Sequence, residues 1–332
     1  MPPPDTRPGA MPGAQPAAAP PPSPADLSRI HTIEQCAFRA WPALQTERHG
    51  DWLLRLSAGF TKRANSANAA LPGAAFDGVQ AAAERLYARH GLPAVFRLTP
   101  LAAPEADARL AAAGYAVFDP SRVMTRLLDG DLPPWAPQVE IADRPTAEWL
   151  DGFAAANGVA PHLHATHHAM VRAISQRTGF ATLRSKPHDL SGSGSAGAGA
   201  GAEGPAIGFG LAVRDGDAVG FFDIVIAPAH RRQGHALVLM QALMHWARTD
   251  GAAPGPGRGD GAPLGTHSHG TTPGARWAYL QVRDHNPAAR RLYAGLGFTD
   301  LYRYHYRVPA APAAPAAPGA AQAAATAGHP AA

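Results

Sequence analysis

Apolar residues fall into short runs that alternate with stretches of helical spacing, and this pattern occurs in two regions of the chain. A continuous apolar run of about four to eight residues is typical of a buried strand, whereas apolar positions roughly one helical turn apart are typical of a helix face. In the first region, residues 28–130, the pattern predicts strands at Trp52–Leu56, Ala94–Leu98 and Tyr115–Leu127 and helices at Phe76–His90 and Glu105–Ala113.

The second region, residues 138–308, contains a longer series of elements. Strands are predicted at Gln138–Ala142, Phe180–Arg184, Ala206–Val213, Ala218–Ile226, Trp277–Val282 and Tyr302–Val308, and helices at Thr146–Asn157, His162–Gln176, Ala236–Thr249 and Pro287–Leu296. The turn Arg214–Asp217, which contains Gly216, predicts a hairpin between two of these strands. Such hairpins, followed by alternating helices and strands, indicate a mixed α/β fold around one sheet.

Stretches rich in proline, alanine, glycine or serine lack this pattern. Residues 1–27 and 309–332 carry few charges and no periodicity, which predicts disordered tails. Residues 190–205 and 251–274 lie between well-patterned elements, so they are predicted to be flexible insertions at the surface. Residues 131–137 are predicted to form a proline-rich linker between the two regions.

Composition narrows the class of protein. A chain of 332 residues is long enough for two domains. The chain has one cysteine, Cys36, which allows no intramolecular disulfide and favours a reducing compartment. The sequence shows neither a signal peptide nor an apolar run long enough to span a membrane. We therefore expect a cytoplasmic protein without a membrane partner. The net charge is +4. Lysine occurs only at Lys62 and Lys186, so 27 of the 29 basic residues are arginine, and these are scattered along the chain. Because they form no basic cluster, we expect no nucleic-acid partner.

The turn Arg231–Ala236 stands directly between a predicted strand and a predicted helix. A helix N-terminus has unpaired amides and the positive end of the helix dipole, which suit it to bind a phosphate. Gly234 would let the backbone approach such an anion because glycine has no Cβ. This pattern predicts an anion-binding turn, and an ordinary glycine-containing connection is the alternative.

Two motifs extend this prediction. Arg231, Gly234 and Ala236 are spaced as Arg-x-x-Gly-x-Ala after a strand, and Asn286–Phe298 reads Asn-x-x-Ala-x-x-x-Tyr-x-x-x-Gly-Phe after the next strand. Both motifs, in this order, resemble those of the GNAT superfamily of acyl-CoA-dependent N-acyltransferases. The resemblance implies a mostly antiparallel sheet flanked by helices, with a V-shaped opening between the fourth and fifth strands where the acyl-CoA lies.

The resemblance also implies which residues bind acetyl-CoA, the expected acyl donor. The turn amides would bind the pyrophosphate, and the backbone of the preceding strand would pair with the pantetheine arm. The residues implied are Ile226, Arg231, Arg232, Gln233, Gly234, His235, Ala236 and Asn286. At least one of the two arginines is expected to face the diphosphate. Asn286 has a second interpretation as a helix cap, because asparagine before proline favours a helix start. No metal is expected.

Two residues are candidates for the chemistry. In the family geometry Tyr293 points towards the sulfur of the donor, where a phenol can protonate the departing thiolate; the alternative is a half-buried tyrosine packed on the sheet. Asp223 interrupts an apolar strand and is the candidate general base, since a buried charge is costly unless it is used or paired. An ion pair between Asp223 and a nearby arginine is equally compatible with the sequence.

Other polar clusters have open interpretations. His162, His164, His167 and His168 have a spacing that zinc sites use, but no glutamate or cysteine accompanies them, so pocket-lining and above all solvent-facing histidines are preferred. Residues 61–68 (Thr-Lys-Arg-Ala-Asn-Ser-Ala-Asn) could reach the acceptor or close a hairpin.

The first region resembles a degenerate second copy of the same fold. Its order of strands and helices parallels that of the second region, but Leu71–Ala75 stands where the glycine motif would be, so no donor is expected there. We therefore expect two tandem lobes and an acetyl-CoA-dependent N-acetyltransferase in which a primary amine, preferably of a small molecule, attacks directly in a ternary complex. The alternative is a non-catalytic module that binds acyl-CoA.

Overall fold

A computed structural model describes residues 22–130, 132, 136–185, 204–249 and 274–310. In this part of the chain, eleven strands form one sheet and seven α-helices flank it. The strands are β1 (Gln45–His49), β2 (Trp52–Leu56), β3 (Ala67–Ala69), β4 (Phe96–Leu98), β5 (Tyr115–Leu127), β6 (Val139–Ala142), β7 (Arg177–Arg184), β8 (Ala206–Asp215), β9 (Ala218–Ile226), β10 (Trp277–Arg283) and β11 (Thr299–Pro309).

The helices are α1 (Pro24–Ala40), α2 (Val79–Arg89), α3 (Glu105–Ala112), α4 (Ala147–Asn157), α5 (His164–Arg172), α6 (His235–Arg248) and α7 (Pro287–Gly295). No helix among these is long and apolar enough to cross a membrane. Most of the two predicted insertions, most of both predicted tails and part of the predicted linker lie outside the described residues.

The first helix corrects the predicted boundary of the N-terminal tail, which extended to residue 27. α1 begins at Pro24 because Ser23 caps it: the Ser23 hydroxyl accepts from the Asp26 amide at 3.2 Å, and the Asp26 carboxylate accepts from the Ser23 amide at 3.2 Å. Ile30 and Ile33 on its inner face are buried. β1 is not predicted by the sequence pattern, because this edge strand is polar throughout and has no apolar alternation.

The sheet order confirms the prediction of two tandem lobes. The first half (β1–β5 with α1–α3) places β2 antiparallel to β3, and β3 parallel to β4 with α2 between them. The second half (β6–β11 with α4–α7) repeats this with β8, β9 and β10 around α6. These two parallel pairs lie in an otherwise antiparallel sheet, as the predicted fold class requires.

The two halves exchange their last strands, which the sequence did not indicate. The strand order is β1-β2-β3-β4-β11-β5-β10-β9-β8-β7-β6. β5 of the first half therefore pairs with β10 of the second, and β11 of the second pairs with β4 of the first. β5 and β11 also pair with each other at the centre, so neither half has a complete sheet by itself.

The helices of the second half cover its sheet on two faces. α4 and α5 pack on one face through Trp149, Phe153 and Met170, whereas α6 and α7 pack on the other through an apolar cluster that includes Leu243 and Tyr293. α1 of the first half also lies on the α4–α5 face, where it contacts β8 and β9. α5 is shorter than the predicted helix His162–Gln176, because β7 already pairs with β8 from Arg177 onward.

Candidate active site

The sheet of the second half opens between β9 and β10. Their parallel pairing begins at Ala218 with Trp277 and ends at Phe221 with Leu280. β9 nevertheless continues to Ile226 and β10 to Arg283, so the two strands separate over their last residues. This is the V-shaped opening that the family resemblance implied.

The turn after β9 presents backbone amides at the N-terminus of α6. Gly234 caps this helix with φ +83°, a conformation that favours glycine. Among the described residues, no group accepts from the amides of residues 232–236. A Cβ on Gly234 would meet no atom within 4 Å, so the backbone conformation, rather than crowding by the protein, makes glycine necessary here.

The two arginines of the turn have different environments. The Arg231 side chain donates to the Ile226 carbonyl at 2.9 Å and to the Ala156 carbonyl at 3.4 Å, so it fastens the turn to β9 and α4. Arg232, with φ +64°, is exposed like Arg231, but its side chain makes no hydrogen bond within the described residues. Gln233 is also exposed, and the first two residues of α6, His235 and Ala236, are half-buried.

α7 carries the second motif. Asn286 caps it by accepting from the Ala289 amide at 3.1 Å, which confirms the capping interpretation. Tyr293 lies on the α6–α7 face, 8% exposed, with its ring 6.2 Å from that of Phe298. Burial raises the pKa of the Tyr293 phenol to about 12, so it holds its proton at neutral pH.

A β-bulge sets the position of Asp223. Phe209 pairs with Val225 and Leu211 with Phe222, so Gly210 stands opposite two residues, Asp223 and Ile224. Asp223 has φ +54°. Phe222 and Val225 both pack on the α4–α5 face, with Ile224 on the other, which means that the bulge turns Asp223 towards the same face as Phe222.

On this face Asp223 meets His167 of α5. The Asp223 Oδ2 and His167 Nε2 atoms are 3.9 Å apart, too far for a hydrogen bond, and no described residue donates to or accepts from either side chain. Burial raises the pKa of Asp223 to about 7 and lowers that of His167 to about 4. Both groups are therefore neutral between these values, and the pair is not an ion pair. The interpretation of His167 as a solvent-facing histidine is wrong, because it is 0% exposed.

Aromatic rings surround His167, which lies beside Asp223, and one of these rings comes from the first half. His167 packs against Phe60, Trp149 and Phe153, with ring centres 5.2, 6.2 and 4.9 Å from its own. Arg63 lies nearby, and its charge acts to lower the pKa of Asp223 against the larger effect of burial. In the described residues, no group of three or more His, Cys, Asp or Glu side chains is arranged to hold a metal ion.

The loop at residues 61–68 closes the connection between β2 and β3, as one of the two predicted alternatives stated, and one of its side chains also contacts the second half. Asn65 closes it, since its Oδ1 accepts from the Ser57 and Gly59 amides at 2.8 and 2.9 Å. Arg63 reaches the second half and lies over the Phe222 ring, 5.5 Å from its centre. The sequence offered no signal that would join Arg63, His167 and Asp223, because the three residues come from distant segments.

Comparison with known proteins agrees with this geometry. Residues 27–256 match the profile of a family described as "Probable histone acetyltransferase Rv0428c C-terminal". The "Uncharacterized N-acetyltransferase YobR" of Bacillus subtilis (strain 168) is 28% identical over 286 residues, which cover 84% of this chain and 98% of that protein.

Two solved structures have a similar fold. A GCN5-related N-acetyltransferase from Kribbella flavida has a TM-score of 0.56 at 16% identity, over 86% of this chain and 96% of its own. A GCN5-related N-acetyltransferase from Sphaerobacter thermophilus has a TM-score of 0.51 at 14% identity, over 86% and 89%. The family match covers most of the chain, and the chain therefore belongs to the Rv0428c C-terminal acetyltransferase family and is an acyltransferase of the GNAT superfamily.

Proposed function

We propose that the protein transfers the acetyl group of acetyl-CoA to the primary amine of a small molecule, by direct attack within a ternary complex. The observation that supports this most is that two titratable groups lie on opposite faces of the sheet that opens between β9 and β10. Asp223 lies on the α4–α5 face and Tyr293 on the α6–α7 face. A thioester held in the opening would have a base on one side and an acid on the other.

The residues around the opening fit a CoA thioester. The amides of residues 232–236 and the side chain of Arg232 form a donor set suited to a diphosphate, at the positive end of the α6 dipole. The separated ends of β9 and β10 leave backbone groups available to a pantetheine arm, with Ile226 at the end of β9 and Asn286 just after β10. Acetyl-CoA supplies the acetyl group as an activated thioester.

Asp223 has the properties of a general base at neutral pH. A pKa near 7 lets it accept a proton from the attacking ammonium or amine while remaining basic enough to do so efficiently. Backbone N–H groups at the bulge of β9 would donate to the thioester oxygen as it gains negative charge. As the amine nitrogen bonds to the carbonyl carbon and the carbon–sulfur bond breaks, Tyr293 gives its proton to the departing thiolate.

The enclosure of Asp223 supports a small acceptor. Its side chain is 1% exposed, and the His167 ring beside it packs against aromatic rings from both halves of the chain, among them Phe60 and Trp149. A small amine can be surrounded by these rings. The family description names a probable histone acetyltransferase, so a lysine side chain of a protein is the acceptor against which this proposal is tested.

Calorimetric titration with acetyl-CoA, followed by a thiol-release assay over a panel of amines, tests the proposal. The panel contains amino acids, polyamines, aminoglycosides and a lysine-containing histone-tail peptide. We expect heat on titration and thiol release with at least one small amine. Absence of heat would refute the donor assignment. Binding without thiol release for any amine would favour the non-catalytic module, and faster release with the peptide than with every small amine would refute a small-molecule acceptor.

A further inference from the structure

Arg63 is the residue by which the first half approaches the candidate active site. Its guanidinium carbon lies 5.5 Å from the ring centres of both Trp41 and Phe222. The side chain is half-buried and has no carboxylate ion-pair partner in the part of the chain that the structure describes. A guanidinium held by aromatic faces keeps its planar set of N–H donors available, and this set matches a carboxylate.

Arg63 lines a small cavity between the two halves. Its volume is about 10 Å³, room for about one water-sized group. Three arginines and one carboxylate are among its lining residues: Arg55, Arg63, Arg97 and Glu34. Glu34 is already paired, since it accepts from Arg97 through both oxygens, at 2.5 and 2.9 Å.

The charges around this cavity do not balance. Arg55 is buried and donates only to neutral carbonyl groups, those of Phe38, Trp41 and Arg63. Burial lowers the pKa of Arg55 to about 10, which still leaves it charged at neutral pH. One carboxylate therefore faces three arginines. Because an uncompensated buried charge is costly, an anion that enters beside Arg63 would be bound favourably.

One donor of the cavity is also unused. The charged guanidinium of Arg97 has its Nε buried without a hydrogen-bond partner in the described structure. Phe222 lines the cavity, and the next residue along β9 is Asp223. The cavity and the candidate base therefore adjoin neighbouring residues of β9.

We propose that the acceptor is an amino acid or a similar amine that carries a carboxylate, and that Arg63 binds this carboxylate while Asp223 receives the amine. The inference rests on the proposed function, because it assigns the acceptor of the same site. It also gives the first half a role: that half contributes the residue that selects the acceptor.

The test compares acceptors that differ only in charge. Thiol release is measured with glycine, β-alanine, 4-aminobutyrate, leucine and phenylalanine, each beside its amide, and with the histone-tail peptide. We expect kcat/KM to be at least about tenfold higher for one or more of the acids than for the matching amide. Binding is followed in parallel, with CoA present, by the fluorescence of the tryptophans, of which Trp41 is next to Arg63.

Variants of Arg63 separate recognition from a structural role. We expect R63Q to lower the ratio of kcat/KM for the preferred acid to kcat/KM for its amide about tenfold to a hundredfold, because loss of the Arg63 charge near Asp223 affects both acceptors alike. R63K, which keeps the charge, should recover part of the loss. R89Q is the matched control, because Arg89 is exposed and makes only a 3.7 Å contact with Glu47. A purely structural role of Arg63 would lower acid and amide rates together.

Failure of this inference can be told apart from failure of the proposed function. Acetyl-CoA binding and thiol release with equal rates for acids and amides, or with rates highest for the peptide, would overturn the inference and leave the acetyltransferase in place. If no amine gives thiol release, the anion site would still be supported by acids that bind more tightly than their amides, provided that R63Q abolishes this difference. No binding and no turnover with any acid would overturn it.

Discussion

At the scale of single residues, the sequence pattern singled out two candidate catalytic groups, but it did not indicate which residues surround them. Asp223 is recognisable because it interrupts an apolar strand, and Tyr293 because it lies in a motif. The bulge that turns Asp223 towards His167 depends on the register between β8 and β9, which no local pattern encodes. The pKa values of both Asp223 and His167 follow from burial, which becomes known only from the packed structure.

The pH dependence of turnover should report Asp223. Because its carboxyl must be ionised to accept a proton, we expect kcat/KM to rise as pH increases through about 7. In D223N this limb should disappear and the rate should fall by about a hundredfold or more. The measurement is a pH profile of thiol release between pH 5 and 9 for both proteins. An unchanged profile in D223N would show that another group is the base.

The free energy of unfolding should change with pH in the direction opposite to that of kcat/KM. The folded-state pKa of Asp223, about 7, lies above its usual value, so between about pH 4 and 7 the unfolded chain loses this proton while the folded protein keeps it. The free energy of unfolding of the parent therefore falls with rising pH relative to D223N, by up to about 3 to 4 kcal/mol above pH 7. His167, with its lowered pKa, acts in the other direction below about pH 6.5, but does so in both proteins.

Urea unfolding at pH 4, 6 and 8 checks this difference. Asparagine tolerates a positive φ, so D223N changes the charge without new backbone strain. Equal stability of the two proteins at pH 4 and greater stability of D223N at pH 8 are expected. If the parent were the more stable protein at pH 8, Asp223 would have a charge partner in the folded state.

Tyr293→Phe separates the acid role from the packing role. The ring packs against Phe298 in either protein, and the hydroxyl has no hydrogen-bond partner among the described residues, so folding stability and acetyl-CoA affinity should be nearly unchanged. We expect kcat to fall about a hundredfold, as for loss of a general acid. Turnover at the parent rate would leave Tyr293 as a packing residue only.

At the scale of elements, periodicity located most helices and strands, while capping and pairing determined their ends. β5 and β9 have their predicted bounds, and each begins just after a glycine with positive φ, Gly114 (+84°) and Gly216 (+62°) respectively. α1 was missed because its capping box lies inside a segment rich in proline and alanine, and β1 because polar edge strands lack alternation. These two elements owe their positions to tertiary contacts, which local sequence does not report.

The glycine at the N-terminus of α6 can be compared with a glycine of similar conformation elsewhere in the chain. Gly234 and Gly50 both have positive φ, +83° and +55°, and a Cβ would meet no atom within 4 Å at either site. Alanine at each should therefore cost about 1 kcal/mol of stability. G234A but not G50A should weaken acetyl-CoA binding, because the proposed diphosphate site lies at the turn of Gly234. Calorimetric titration of both variants measures this, and equal affinities would move the donor site away from the turn.

At the scale of the whole molecule, the exchange of β5 and β11 makes the two halves one folding unit. Residues 138–310 expressed alone would leave the edges of β10 and β11 without β5 between them. Because unpaired edges of this length promote aggregation, we expect that fragment to be insoluble or unfolded.

Co-expression with residues 22–130 is the control and should restore a soluble complex. Size-exclusion chromatography and circular dichroism report the outcome. A stable monomer of the fragment alone, able to bind acetyl-CoA, would contradict this dependence. The sequence predicted two lobes in tandem from the order of their elements, but strand partners between distant segments are not visible in one sequence.

The exchanged strands also bear on how the two copies can diverge. The first copy lacks the glycine motif yet supplies β5, α1 and the loop that carries Arg63. Substitutions that abolish its donor turn leave the sheet intact, whereas loss of its last strand would destroy the partner copy. Selection can therefore tolerate the loss of the donor turn in the first copy but not the loss of its fold. A copy without a donor turn can then evolve a role in selecting the acceptor that the other copy acetylates.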